Sequence, residues 1–207
     1  MSQQNIKNII FDVGNVLVQW SPLNIVKKTF PHYKKHDIDT VINAVFKSDI
    51  WKQLNLGTIT EKEAINKLAL STTLQENELE KLFCNIKITQ DPVPGTFEVL
   101  TKLYDMKFNL LALTDNVNEI ISYLKKRYEF WKYFSHIIVS AEIGMMKPDI
   151  NIFKYVLSEH QLDPLQTLFI DDHLQNIQSA QLLSINCFQF SNCEDFKSEL
   201  LKYNIYI

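Results

Sequence analysis

Five short apolar runs constrain this chain more than any other feature: Lys7–Val13, Phe108–Leu113, His136–Ser140, Thr167–Ile170 and Asn186–Phe190. Most of the segments between them carry helical periodicity. Strands that are apolar on both faces and separated by helices belong to a parallel sheet covered on both sides. The pattern therefore predicts an α/β fold with a doubly wound parallel sheet. The stretch from about Gln19 to Gln90 departs from it, because amphipathic segments follow one another there with no convincing strand. Thr60-Glu61-Lys62-Glu63 and Thr73-Leu74-Gln75-Glu76 both fit the capping box, in which a hydroxyl and a Glu three residues later satisfy free N–H groups at a helix start. A small helical domain over residues 19–90 is thus predicted as an insertion into a core made of 1–18 and 91–207. Asp91-Pro92-Val93-Pro94-Gly95 marks the return to the core, ahead of a helix expected over Thr96–Met106, and Cys193–Tyr203 reads as a final surface helix.

A length of 207 residues suits one sizeable core with a smaller unit added. The formal net charge of −3 lacks the electrostatic footprint of a nucleic-acid or membrane binder, so the expected partner is a small molecule. Cys84, Cys187 and Cys193 form no Cys-x-x-Cys pair and their odd number opposes a closed disulfide framework, which points to a reducing compartment. Met1-Ser2-Gln3-Gln4-Asn5 lacks the basic and apolar regions of a signal peptide, and no apolar stretch approaches membrane-spanning length. A soluble, cytoplasmic monomer or weak homodimer is expected.

The chemistry gathers at the strand ends. Ile9-Ile10-Phe11 delivers Asp12 into Asp12-Val13-Gly14-Asn15-Val16-Leu17, where Gly14 and Asn15 are the residue types that most easily take φ > 0. Such a turn presents backbone N–H groups beside the carboxylate and suits an anion or a metal-bridged phosphate. Leu110-Leu111-Ala112-Leu113 runs into Thr114-Asp115-Asn116, and Leu168-Phe169-Ile170 runs into Asp171-Asp172. Gly144-Met145-Met146-Lys147-Pro148-Asp149 follows the third run. Parallel sheets bind ligands at the carboxyl ends of their strands, so these groups are expected in one crevice. Together they supply a carboxylate nucleophile, a hydroxyl and N–H groups for phosphate oxygens, a lysine to offset charge, and paired carboxylates for Mg²⁺.

These segments resemble, in order and spacing, the four sequence motifs of the haloacid dehalogenase-like hydrolase superfamily, and the inserted helices resemble its first type of cap domain. The likeness covers the core, roughly two thirds of the chain. Asp12-Val13-Gly14-Asn15-Val16-Leu17 is similar, more narrowly, to a bacterial branch that includes glucose-1-phosphate phosphatases. The resemblance implies Mg²⁺-dependent hydrolysis of a small phosphorylated metabolite, such as a sugar phosphate, through an aspartyl-phosphate. It casts Asp12 as nucleophile, Thr114 as the phosphate-binding hydroxyl and Lys147 as the motif-three lysine. Asn15, Asp115 and Asn116 fall with them in the phosphate site. Asp12, the Gly14 carbonyl, Asp171 and Asp172 become the metal set, with Asp172 a direct ligand.

Gly14 departs from the family's phosphatases, which place there an Asp that protonates the leaving alcohol; losing such a group typically costs about 10² to 10⁴ in rate. Dehalogenases of the superfamily also lack it, which makes halide displacement by Asp12 the alternative, and a phospho-ligand-binding protein without turnover a third reading. The pair Asp171-Asp172 favours the phosphatase, since its repulsion is best relieved by a cation. An anomeric sugar phosphate, with its better leaving group, would suit a site without the acid. His173 is the candidate to replace that acid, although a solvated loop histidine explains it as well. Asp115 is expected to cap the following helix, and Asn176 either to orient Asp172 or to hydrogen-bond its own turn at the helix start. His32 and His36 have zinc-ligand spacing, but Lys34 and Lys35 between them indicate an exposed helix face. Trp20, Phe30, Phe46 and Trp51 read as the core of the inserted unit, one or two of them facing substrate.

Overall fold

The computed structural model describes residues 5–207. Strand β1 (Asn8–Phe11) is followed by five helices: α1 (Pro22–Thr29), α2 (Lys35–Phe46), α3 (Asp49–Asn55), α4 (Glu61–Ser71) and α5 (Glu76–Ile88). Helix and strand then alternate through α6 (Thr96–Asp105), β2 (Asn109–Thr114), α7 (Asn118–Arg127), β3 (His136–Val139), the short α8 (Ser140–Ile143) and α9 (Ile150–Glu159). The chain closes with β4 (Thr167–Asp171), α10 (Leu174–Gln181), β5 (Asn186–Gln189) and α11 (Cys193–Leu201). The strands form one sheet in the order β3-β2-β1-β4-β5, and all four pairings are parallel. All five apolar runs are strands.

The period-2 alternation of the strands sorts their side chains onto two faces. Ile9, Phe11, Leu110, Ala112, Leu168 and Ile170 pack with apolar residues of α6, α7 and α11, among them Leu100, Leu124 and Phe196. Ile10, Leu111, Leu113 and Phe169 point the other way, onto Ile152, Phe153 and Val156 of α9 and Ile177 of α10. Helices on both faces make the sheet doubly wound. Because the chain leaves β1 towards β2 and β3 and later returns to its other side at β4, the order reverses at β1. The carboxyl ends of β1, β2 and β4 therefore surround the crevice such a reversal creates.

The helices between β1 and β2 start where sequence signals place them. Ser21 caps α1 ahead of Pro22, and Thr60 and Glu63 close a reciprocal box on α4: the Glu63 N–H donates to Thr60 Oγ1 at 3.3 Å, and the Thr60 N–H to Glu63 Oε2 at 2.8 Å. The second expected box is displaced. Gln75, not Thr73, caps α5, and its N–H donates to Glu78 Oε2 at 2.8 Å, because the carboxylate that can fold back lies one turn inside the helix. The α1 helix packs on α2 and α5, and α4 on α3 and α5, burying Ile25, Val26, Leu68, Leu79 and Phe83. No helix among the described residues is long and apolar enough to cross a membrane.

Candidate active site at the strand ends

Asp12 leaves β1 at the centre of the sheet, and the next residues fold tightly on themselves. The N–H groups of Leu17 and Val18 both donate to the Val13 carbonyl, at 2.9 and 3.0 Å, and the Asn15 N–H donates to Val18 O at 2.7 Å. Positive φ occurs at Asn15 (54°) but not at Gly14, which corrects the expectation that both residues require it. A Cβ on Gly14 would touch only the Trp20 side chain, at an ordinary 3.6 Å. Asn15 is held at both ends of its amide: Nδ2 donates to Asp172 Oδ2 at 3.0 Å, and Oδ1 accepts from the Trp20 N–H at 2.8 Å. Its side chain thus links the β1 loop to the β4 loop rather than reaching freely for a phosphate.

Lys147 arrives from the loop between α8 and α9 and is buried beneath these carboxylates. Its Nζ lies 2.8 Å from Asp12 Oδ1 and 2.7 Å from Asp171 Oδ2, and it donates to the Leu113 carbonyl at 3.1 Å. Asp12 Oδ1 also accepts from the Val13 N–H at 2.7 Å. Asp171 is fully buried; Oδ1 accepts from the His173 N–H at 2.8 Å, and the Asn176 amide reaches both oxygens at 3.0 Å. Asn176 therefore orients Asp171, not Asp172 as expected, because the first turn of α10 carries it under the strand end while Asp172 has already turned towards Asn15. Burial pushes the Asp12 carboxyl up to about 8 against the pull of Lys147, with Asp171 and Asp172 adding to the rise. Burial works against the Lys147 ammonium, but Asp12, Asp171 and Asp115 outweigh it and raise its pKa.

Oxygens of Asp12, Asp171 and Asp172 lie within 4.8 Å of one another, and this is the one such acidic group among the described residues. The all-oxygen donor set, three carboxyl groups served by a single ammonium, fits a divalent cation, whose charge would favour their ionised forms. Gly14 lines the same cleft. His32 and His36 are exposed and belong to no such group.

Thr114 ends β2 and is buried at the cleft. Asp115 does not cap the next helix, whose cap is Val117; its Oδ1 instead accepts from the Lys147 N–H at 3.0 Å and fixes the lysine's loop. Burial raises the Asp115 pKa, opposed by Lys147. Asn116 lines the cleft, yet its N–H donates to Ser140 Oγ at 2.9 Å and its Oδ1 accepts from the Val117 N–H. Ser140, whose Oγ also donates to the Asn55 carbonyl at 2.7 Å, joins the β2 loop to α3. Neither Ser140 nor Asn55 was singled out from the sequence, although Ser140 stands at a strand end like the other site groups. His173 is exposed, its Nε2 3.7 Å from Asp172 Oδ2. Of the four aromatics, Trp20 and Trp51 line the cleft, Phe46 packs edge-on against both, and Phe30 is buried beside Tyr33.

A family model described as haloacid dehalogenase-like hydrolase matches residues 9–190. The chain belongs to the haloacid dehalogenase-like hydrolase family. It is 26% identical over 179 residues to a sesquiterpene phosphatase of Aspergillus oryzae, spanning 86% of this chain and 87% of that protein. It is 26% identical over 209 residues to a D-ribitol-5-phosphate phosphatase of Bacteroides thetaiotaomicron, spanning 94% and 97%. The crystal structure of a family enzyme from Bacteroides thetaiotaomicron in complex with magnesium and inorganic phosphate superposes with a TM-score of 0.75 at 25% identity, covering 94% of this chain and 99% of that one.

Proposed function

We propose that this hydrolase is a Mg²⁺-dependent phosphomonoesterase that cleaves a small phosphorylated metabolite through an aspartyl-phosphate. One observation carries the reading: Asp12 belongs at once to a cleft shared with Thr114 and Lys147 and to a cluster of three carboxylates suited to a divalent cation. Similarity to a sesquiterpene phosphatase and to a D-ribitol-5-phosphate phosphatase supports a phosphate-ester substrate. Halide displacement needs no cation, and the three clustered carboxylates weigh against it.

Asp12, Asp171 and Asp172, with the Gly14 carbonyl, hold Mg²⁺, which supplies positive charge to phosphoryl oxygens when bound. Asp12 Oδ1 is engaged by Lys147 and the Val13 N–H, which leaves Oδ2 to attack phosphorus in line with the departing oxygen. Lys147 stabilises charge on the transferring group, and the Thr114 hydroxyl donates to a phosphoryl oxygen. Water then hydrolyses the acyl-phosphate. Residues 19–90 act as a cap domain that excludes bulk solvent and meets the substrate's organic part. Phosphate release from a substrate panel, with and without Mg²⁺, tests the reading. Activity that requires both the cation and Asp12 is the expected result; no release by wild type, or undiminished release by Asp12→Asn, overturns it.

A further inference from the structure

Two amides from residues 19–90 border the cleft: Asn55 at the end of α3 and Gln90 just past the end of α5. Both residues are almost fully enclosed, at 3% and 1% exposed. Asn55 Nδ2 donates to the Trp51 carbonyl at 2.8 Å and Gln90 Nε2 to the Ile86 carbonyl at 3.0 Å, each bonding back four residues to its own helix. Turning either amide over would set its oxygen against a carbonyl oxygen, so these bonds fix which end faces away from the helix. Asn55 Oδ1 and Gln90 Oε1 accept no hydrogen bond from any described residue, yet neither oxygen is sealed inside the protein. The cleft is what they meet.

Their positions are set from the core. The Asn55 main-chain carbonyl accepts from Ser140 Oγ at 2.7 Å, and that of Gln90 accepts from the Tyr128 hydroxyl at 2.8 Å. Gly57, two residues beyond Asn55, lies so close to α8 that a Cβ on it would collide with the Ala141 carbonyl. Docked in this way, both side-chain oxygens are preorganised for a ligand.

An ionised phosphoryl group presents acceptors, as these carbonyls do, and belongs with Lys147, the Thr114 hydroxyl and the cation. What the two oxygens can take is a donor on the organic part of the substrate. A buried ammonium would need a carboxylate beside it, and residues 19–90 bring no ionisable group to this cleft. A neutral hydroxyl needs none. Asn116, whose Oδ1 already holds the Val117 N–H, and the exposed His173 border the same cleft and can donate in return to oxygens of the ligand.

Resting on the phosphatase reading, we propose that Asn55 and Gln90 determine specificity: their side-chain carbonyls accept hydrogen bonds from hydroxyl groups on the alcohol part of the substrate. The enzyme therefore selects a hydroxylated phosphate ester over its deoxy analogue, which leaves both buried acceptors empty.

The test is kcat/KM with Mg²⁺ for glycerol 3-phosphate and D-ribitol 5-phosphate, beside propyl and pentyl phosphate, which carry the same primary ester without the other hydroxyls. Two acceptors left empty, at about tenfold each, should place the hydroxylated esters ahead by about 10². Asn55→Leu and Gln90→Met each remove one carbonyl at similar volume and should narrow that ratio to about tenfold. A merely structural role would lower both kinds of ester together and leave the ratio where it was. A wild-type ratio within about threefold, or one that neither variant moves, would overturn the proposal while leaving the phosphatase reading intact. Phosphoethanolamine ahead of glycerol 3-phosphate would overturn the hydroxyl as the donor. Calorimetric binding of dihydroxypropylphosphonate against propylphosphonate to the wild-type protein with Mg²⁺ reads the same preference without turnover or a variant. No turnover with tighter dihydroxypropylphosphonate binding would overturn the phosphatase and support the selection of hydroxyls, whereas equal binding would overturn that selection.

Discussion

Lys147→Met removes the ammonium that holds the carboxylate cluster together while keeping most of the volume of the side chain. The Lys147 side chain is only 2% exposed, and its Nζ bridges Asp12 at 2.8 Å and Asp171 at 2.7 Å. Both carboxylates would stay buried without that partner. Removing one member of a buried ion pair costs about 3–5 kcal/mol, mostly the penalty of the charge left behind. At about 2–4 °C per kcal/mol for a domain of this size, Tm should fall by roughly 6–20 °C in the absence of divalent cation. The pH dependence has a definite sign. In the variant the stranded carboxyls have folded-state pKa values above their unfolded ones, so the penalty is absent when both states are protonated, grows as pH rises above the unfolded values, and levels off once pH passes the folded ones. Thermal unfolding of both proteins between pH 5 and 8 should show the deficit widening with pH and shrinking on addition of Mg²⁺. A Tm within about 2 °C of wild type at pH 8, or a deficit indifferent to pH, would refute the electrostatic account of Lys147.

Asp12→Asn replaces a buried carboxyl whose ionisation is disfavoured by a neutral amide of the same shape, so cation-free Tm should stay level or rise while phosphate release is lost; scanning calorimetry beside a phosphate assay checks both. Gly14→Asp is sterically permitted, since its Cβ would meet only Trp20 at 3.6 Å and the backbone there is not left-handed. It should raise turnover of simple alkyl phosphates by about 10², and an unchanged rate would count against a missing proton donor as the limitation. With the Asp12 carboxyl pushed up to about 8, Mg²⁺ must displace a proton to bind below that pH. Apparent affinity should weaken by up to about tenfold per pH unit from 8 down to 6, with proton release visible by calorimetry in buffers of different ionisation enthalpy. Affinity that does not change over that range would contradict it.

The sheet was legible because its strands are buried on both faces and read as continuous apolar runs, and the site groups were legible because a parallel sheet gathers its strand ends. Thr114, Lys147, Asp171 and Asp172 needed nothing more than that rule to be placed beside Asp12. The amide partners were not legible. Asn15, expected in the phosphate site, bonds Asp172 instead, and Asn176, expected on Asp172, bonds Asp171, because which carboxylate each faces depends on whether its loop takes one residue at positive φ and where α10 begins. Asp115 misled for a related reason: an Asp just before a helix is the usual cap, but this one accepts from the Lys147 N–H, more than thirty residues on.

Acid-quenched mass spectrometry of the protein mixed with phenyl phosphate and Mg²⁺ addresses Asp12 most directly. No side chain at position 14 stands ready to deprotonate the attacking water, so the proposed mechanism predicts a slow second step and an intermediate that accumulates. The expected result is a phosphoryl group on the peptide that contains Asp12, absent from Asp12→Asn. Phosphate release by wild type with no phosphoryl group on that peptide, or with one on a different residue, would contradict Asp12 as the nucleophile.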